Sequence, residues 1–556
     1  MTSMASTPSW PRLLLAAALT LTSAAGLHAA PQAASAKPAA APSSQVAWLS
    51  ARDPGDVDAA MARAKAARQP LLLYWGATWC PPCNRLKAQL FNRQDFAALT
   101  RGLVALHVDG DRPAAQKISA RFGVSGYPTL LLLSSDGQEL TRIPGEVEPE
   151  QVLPLLQLGL AGGRGVRAVL ADARADKPLS AGDWRLLAFF SWETDASDEQ
   201  RILVPKAERS ALLARLAARA DSQPVAGAEV ATRLWLKAIA ARGEGDVAKA
   251  GWTPDATLTA RVEKLLADPV QSRLHASVLT SEAADLLKGL GVEDNPGVPL
   301  AVAMDAALTR LQSDPGFARA DRMDALIARL ALARRGQAKD VLQPQLPEPL
   351  VRGALDQVAR DDREIRDGHE RQAVITAAAY ALGQAGRWAE SDTLLKSNLA
   401  RSHSPYYLMS QLGSNARKQG RTAEALDWYA QSYDKAVGPA TRLQWGNGFL
   451  TALVDLAPKD TSRIDQTAQR LLADAATDGA AFEGRSGRSL QRANTKLVAW
   501  SSSAPEAAAA VQRWHSRLAA MCTQLPAREA DQRQACQALV KPAAPTAAAV
   551  PAPTKG

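Results

Sequence analysis

Two of the chain's four cysteines close an apolar run, Leu71-Leu72-Leu73-Tyr74-Trp75-Gly76-Ala77-Thr78-Trp79-Cys80-Pro81-Pro82-Cys83. The run reads as a strand that passes straight into a helix beginning at Cys80. Two thiols three positions apart on a first helical turn can close a small disulfide with little backbone movement. The positive end of the helix lowers the pKa of the Cys80 thiol and marks it as the nucleophile. Cys83, one turn in and shielded, is placed to resolve a mixed disulfide. Trp79 is placed to cover the pair. The chemistry open to this spacing is thiol–disulfide exchange.

Pro81 and Pro82 modify that chemistry. Neither has a backbone N–H, so two donors near the Cys80 sulfur are missing and Cys83 N–H is the main one left. A less stabilised thiolate favours reducing or mildly poised behaviour over that of a strong oxidant. A zinc site would need four ligands, and no second Cys-x-x-Cys or histidine pair accompanies this one. An inert structural disulfide is the other alternative, and a partly exposed helix N-terminus is an unusual place for one. The histidines at 107, 275, 369, 403 and 515 show no metal spacing and read as surface or satisfied polar residues.

The second pair, Cys522 and Cys536, is 14 residues apart. On one continuous helix the two would lie about 21 Å apart, far beyond bonding reach. Pro526 breaks such a helix, and a helical hairpin would bring them together as a structural disulfide. A second redox relay or two free thiols are the alternatives.

The elements that must hold the first pair alternate in type. Asp56–Arg68 reads as a helix, Leu71–Trp75 and Leu103–Val108 as strands, and Ala114–Phe122 as a helix. Thr129–Leu133 is a strand, Asp136-Gly137 a hairpin turn into Glu139–Ile143, and Glu148–Leu160 a closing helix. This is one α/β domain of ordinary size. The glycine-rich stretch from Gly159 to Gly165 marks its end. From Val166 to about Val540 nearly every periodic segment is helical, including Leu212–Ala220, Val230–Ala241, Met323–Arg335 and Ala373–Ala385.

Within that region Gly386-Arg387-Trp388-Ala389-Glu390 and Gly420-Arg421-Thr422-Ala423-Glu424 are offset by 34 residues. Each falls in the turn of a helix–Gly–helix unit, Ala377–Leu395 and Leu412–Tyr429, clearest over 373–436. Their period resembles that of tetratricopeptide repeats, with a generic helical bundle as the alternative. A third stretch, Leu330–Leu342, is out of phase. Trp388, Trp428, Tyr429 and Trp445 read as core, and Asp361-Asp362-Arg363-Glu364 as a solvated helical face.

Residues 46–162 closely resemble the thioredoxin family. Besides the Trp-Cys-x-x-Cys motif, Phe122-Gly123-Val124-Ser125-Gly126-Tyr127-Pro128-Thr129-Leu130 looks like the family segment that ends in a cis-proline before a central strand. The resemblance implies that Pro128 sits opposite Cys80 and that the Tyr127 backbone receives an extended substrate peptide. His107-Val108-Asp109 and Arg142-Ile143-Pro144-Gly145 fit the later strands. Phe91-Asn92-Arg93-Gln94-Asp95-Phe96 is similar to secreted thiol reductases, including the C-terminal domain of bacterial electron-relay reductases. One position departs from the family: where thioredoxins carry a buried acid that helps deprotonate the resolving thiol, this chain has Tyr74. A phenol, pKa about 10, is a poor substitute near neutrality.

At 556 residues, with 47% hydrophobic and 22% charged residues, the chain is neither disordered nor a small disulfide scaffold. Its net charge of +9 is scattered, without a basic run interleaved with aromatics, so no nucleic-acid partner is expected. Residues 1–30 read as a signal peptide: Arg12, the apolar run Leu13–Leu21, then small residues, with cleavage after Ala25 or Ala29. An uncleaved anchor is the alternative. Residues 31–45 form an Ala/Pro/Ser linker and 541–556 a disordered tail. The whole predicts an α/β thioredoxin-like domain (46–162) followed by a large all-α region (166–540), in a periplasmic or secreted chain with no membrane span once mature.

The expected function is reduction of protein disulfides by the Cys80/Cys83 dithiol, needing no metal or dissociable cofactor beyond that redox disulfide. Its partners would be a protein disulfide substrate, an upstream thiol electron donor, and a client held by the helical region. A helical scaffold with a docking thioredoxin-like module, or a disulfide oxidase or isomerase, are the rival readings.

Overall fold

The computed structural model describes residues 45–540 apart from 125, 146–147, 163, 193–202, 339 and 504. The expected signal peptide, the linker up to residue 44 and the tail lie outside the described residues. Five strands make one sheet: β1 (Leu49–Ala51), β2 (Leu71–Gly76), β3 (Val104–Asp109), β4 (Thr129–Leu133) and β5 (Glu139–Pro144), in the order β1-β3-β2-β4-β5. β1 and β2 run parallel to β3, whereas β4 is antiparallel to both β2 and β5. Every residue of β2 and β4 is buried. Such strands carry continuous apolar runs because both faces are covered.

The sheet is flanked by α1 (Pro54–Ala67), α2 (Pro81–Leu86), α3 (Gln94–Thr100), α4 (Ala115–Phe122) and α5 (Pro149–Leu160). α1 starts two residues before the sequence reading because the Asp53 side chain accepts from Gly55 N–H and Asp56 N–H, with Pro54 in the first turn. A π-helical segment, Lys87–Phe91, continues α2. The three-residue edge strand β1 and helix α3 are additions that no periodic pattern announced.

Beyond Gly165 the described elements are helical. Gly368–Gln384 turns at Gly386 into Trp388–Asn398, and Pro405–Lys418 turns at Gly420 into Thr422–Lys435. Around Leu330–Leu342 there is no such unit, since Arg319–Ala333 ends and the next helix begins at Glu348. Asp361 is buried rather than solvated, and Asp362 accepts from Arg371, Asn398 and Arg401. Asp361 is thus taken out of solvent and half-buried Asp362 is held by its partners, whereas Arg363 and Glu364 are exposed as the sequence reading expects.

The apolar core does not stop at the glycine-rich stretch. One buried cluster joins Leu72, Leu130 and Leu156 of the α/β part to Val169, Trp184, Leu213 and Leu234 of the following helices. Residues 320–412 and 426–539 have apolar clusters of their own. Among the described residues no helix is long and apolar enough to cross a membrane.

Candidate active site

The end of β2 delivers the cysteine pair. Cys80 caps α2, its Sγ accepting from Cys83 N–H at 3.1 Å, with Pro81 and Pro82 in the first turn. Proline is tolerated there because first-turn N–H groups lack helical partners anyway. Cys80 and Cys83 are joined as a disulfide with Cα atoms 5.2 Å apart. Asn84 fixes the loop from behind, its Nδ2 donating to Thr78 O and Cys80 O, both at 2.8 Å.

Pro128, after a cis Tyr127–Pro128 bond, leads directly into β4. Thr129 pairs with Trp75 of β2, so Pro128 and the Cys80 loop share one end of the sheet. Trp79 and Tyr127 meet edge to face with ring centroids 6.0 Å apart. The structure thus gathers Trp79, Cys80, Pro81, Pro82, Cys83, Tyr127 and Pro128 at one place. Cys522 and Cys536 lie elsewhere, joined as a disulfide between helices Ala508–Gln524 and Ala530–Val540.

Tyr74 is buried under the sheet, its ring stacked on His107 with centroids 4.9 Å apart and its hydroxyl without a hydrogen-bond partner among the described residues. Burial, then the charge of Asp109, pushes the phenol well above its ordinary pKa. It is therefore a neutral spacer and no proton acceptor near neutrality. Burial, with Lys87 and Arg112 nearby, pulls His107 down to about 4, and burial also lowers Lys87.

The residues that sequence reasoning missed come from the helical region, 285 to 374 positions away from their partners. His369 Nδ1 lies 2.6 Å from Asn84 Oδ1, and His403 Nε2 lies 3.0 Å from Thr78 O. Gln372 Nε2 donates to Trp79 O at 3.3 Å. Trp79 Nε1 donates to Asp111 Oδ2 at 2.8 Å and to Thr441 Oγ1 at 3.0 Å. The Trp79 ring stacks on Tyr407 and meets the edge of Trp445. Arg485 pairs with the buried Asp111 and lies over both Trp79 and Tyr127. Trp445, read as core, is a partner of the redox loop. No local signal marks any of these residues, because the contacts are made by tertiary packing alone.

A central mixed sheet with a Trp-Cys-Pro-Pro-Cys turn at a helix start, beside a cis-proline, defines a thioredoxin fold with a redox disulfide. A family model for the thioredoxin-like domain matches residues 57–159. The chain is 32% identical over 90 residues to thioredoxin H-type of Oryza sativa subsp. indica, covering 16% of this chain and 69% of that protein. It is 34% identical over 110 residues to thiol:disulfide interchange protein DsbD 2 of Pseudomonas aeruginosa, covering 19% of each. It is 31% identical over 97 residues to the TPR repeat-containing thioredoxin TDX of Arabidopsis thaliana, covering 17% of this chain and 24% of that one. The chain belongs to the thioredoxin-like family of thiol–disulfide oxidoreductases. It matches only about a fifth of the length of its DsbD relatives.

Proposed function

We propose that this chain is a periplasmic or secreted reductase of protein disulfides. The observation that carries the reading is the Cys80–Cys83 disulfide at the start of α2, with Cys83 N–H on the Cys80 sulfur. In the reduced form the Cys80 thiolate attacks one sulfur of a substrate disulfide. That bond breaks, one substrate thiolate leaves and takes up a proton, and a mixed disulfide joins Cys80 to the other substrate sulfur. Cys83 then gives up its proton and attacks the Cys80 sulfur, and the substrate leaves as a dithiol. Two electrons have passed to the substrate, and the chain is left oxidised. An upstream dithiol donor returns it to the reduced state. The leader pattern at residues 1–30 supports export, and the helical region supplies the surface that binds the client.

The test is reduction of a protein disulfide by the full chain. Cys80→Ser abolishes turnover, and Cys83→Ser accumulates a mixed disulfide on Cys80. Full activity in both variants, or an empty Cys83→Ser trap, overturns the reading.

A further inference from the structure

Thiol–disulfide exchange needs a sulfur that an incoming disulfide can reach. Here the Cys80 residue is 2% exposed and Cys83 is 0% exposed. The residues that flank the pair are held by later parts of the same chain. Gln372 and His403 hold the Trp79 and Thr78 carbonyls, Tyr407 and Trp445 enclose the Trp79 ring, and Arg485 bridges Asp111 to the faces of Trp79 and Tyr127.

We infer that the C-terminal helices form a lid on the redox site, that this structure is its closed form, and that exchange with a protein disulfide requires the lid to part. The inference rests on Cys80 as the reacting thiol and adds a gating step before the chemistry. The composition of the contact allows parting. The lid helices keep apolar clusters separate from the one that contains Cys80 and Cys83. What joins the two sides is polar and aromatic: hydrogen bonds, ring contacts, and ion pairs of Arg85 with Asp321 and Asp324, Lys117 with Glu529, and Asp111 with Arg485. Opening therefore leaves each core intact. The helices just after the α/β part share its core and stay with it.

One backbone position sets how closely the lid seats. Gly438, at the start of helix Pro439–Leu456, has φ +88°, and a Cβ there would lie 2.5 Å from Asp111 O. Gly227, at the start of helix Ala228–Glu244, has φ +81° and nothing within 4 Å of the same added carbon. Gly438→Ala and Gly227→Ala impose the same backbone strain, but only the first adds a collision across the lid contact.

The experiment labels Cys80 in the reduced full-length chain, with iodoacetamide and with a polyethylene-glycol maleimide, and reads the Cys80 peptide by mass spectrometry. Each rate is divided by the rate for the same chain unfolded in urea, which removes the intrinsic difference between reagents. In the wild type the bulky reagent is expected to be slowed at least about tenfold more than the small one. Gly438→Ala is expected to speed the bulky reagent about tenfold, while Gly227→Ala stays within about twofold of wild type. Equal slowing of both reagents in the wild type overturns the lid, as do equal effects of the two folded alanine variants. If Gly438→Ala does not fold, the wild-type reagent ratio decides alone. Labelling needs no turnover, so a variant that opens the site without reducing any protein disulfide would sink the reductase reading and leave the lid standing.

Discussion

The backbone leaves Cys80 one hydrogen-bond donor among the described residues, Cys83 N–H, because the two prolines between them have none. Proton traffic at the pair must run without help from Tyr74, whose burial keeps it neutral. Histidines matter here for stability. Burial lowers both His107 and His275 to about 4, and neither ring nitrogen of His275 has a hydrogen-bond partner among the described residues. Both are neutral in the folded chain at a pH where an unfolded imidazole, pKa about 6.5, already takes a proton. Their contribution is therefore complete above about pH 6.5 and is lost as pH falls towards 4. The urea midpoint should drop between pH 7 and pH 5 by an amount equivalent to about 1–2 kcal/mol per histidine. His275→Gln should flatten that slope, and an unchanged slope would exclude His275 as its source. Cys80, Cys83 and Trp79 were legible because local spacing carries their chemistry, and Pro128 because the segment around it resembles that of the thioredoxin family. His369, Tyr407 and Arg485 were not, since nothing in their own neighbourhoods mentions the residues they touch.

Elements with strong periodicity or continuous apolar runs were legible, as β2, β4 and the long helices show. The short edge strand β1 was not, because three residues have no period and owe their form to pairing with β3. The last hairpin illustrates an element held by covalent and polar ties together. Its disulfide links helices on either side of Pro526, and Glu529 in the same turn pairs with Lys117 of α4 at 2.7 Å. Closing a loop of 14 residues removes entropy from the unfolded chain. The double variant Cys522→Ala/Cys536→Ala is expected to lose about 3 kcal/mol in equilibrium unfolding. It should also speed hydrogen exchange over Ala530–Val540. A loss confined within experimental error would show that the bond is not a staple.

At the scale of the whole molecule, the sequence marks a boundary near residue 162 that apolar packing ignores. Val152, Leu155 and Leu156 of α5 share one buried cluster with Val169, Leu170, Trp184 and Leu187. A chain cut to residues 45–162 leaves that face bare, whereas one cut to 45–245 keeps the first covering helices. The shorter piece is expected to bind a hydrophobic dye and aggregate, and the longer one to melt cooperatively. Equal solubility and equal cooperativity would show that the shared cluster is dispensable. The sequence could announce the change of texture from α/β to all-α, but not which helices return to the redox site, because hydrophobic pattern identifies a buried face without naming its partner.

Trp79 finds Thr441 362 residues further along the chain, and Asp111 finds Arg485 after 374. Synthesis proceeds at about 5–20 residues per second, so roughly 20 to 80 seconds separate the birth of the cysteine pair from that of its cover. The order of the chain thus gives every newborn copy an interval in which Cys80 and Cys83 meet the surrounding redox couples before the protein can shield them.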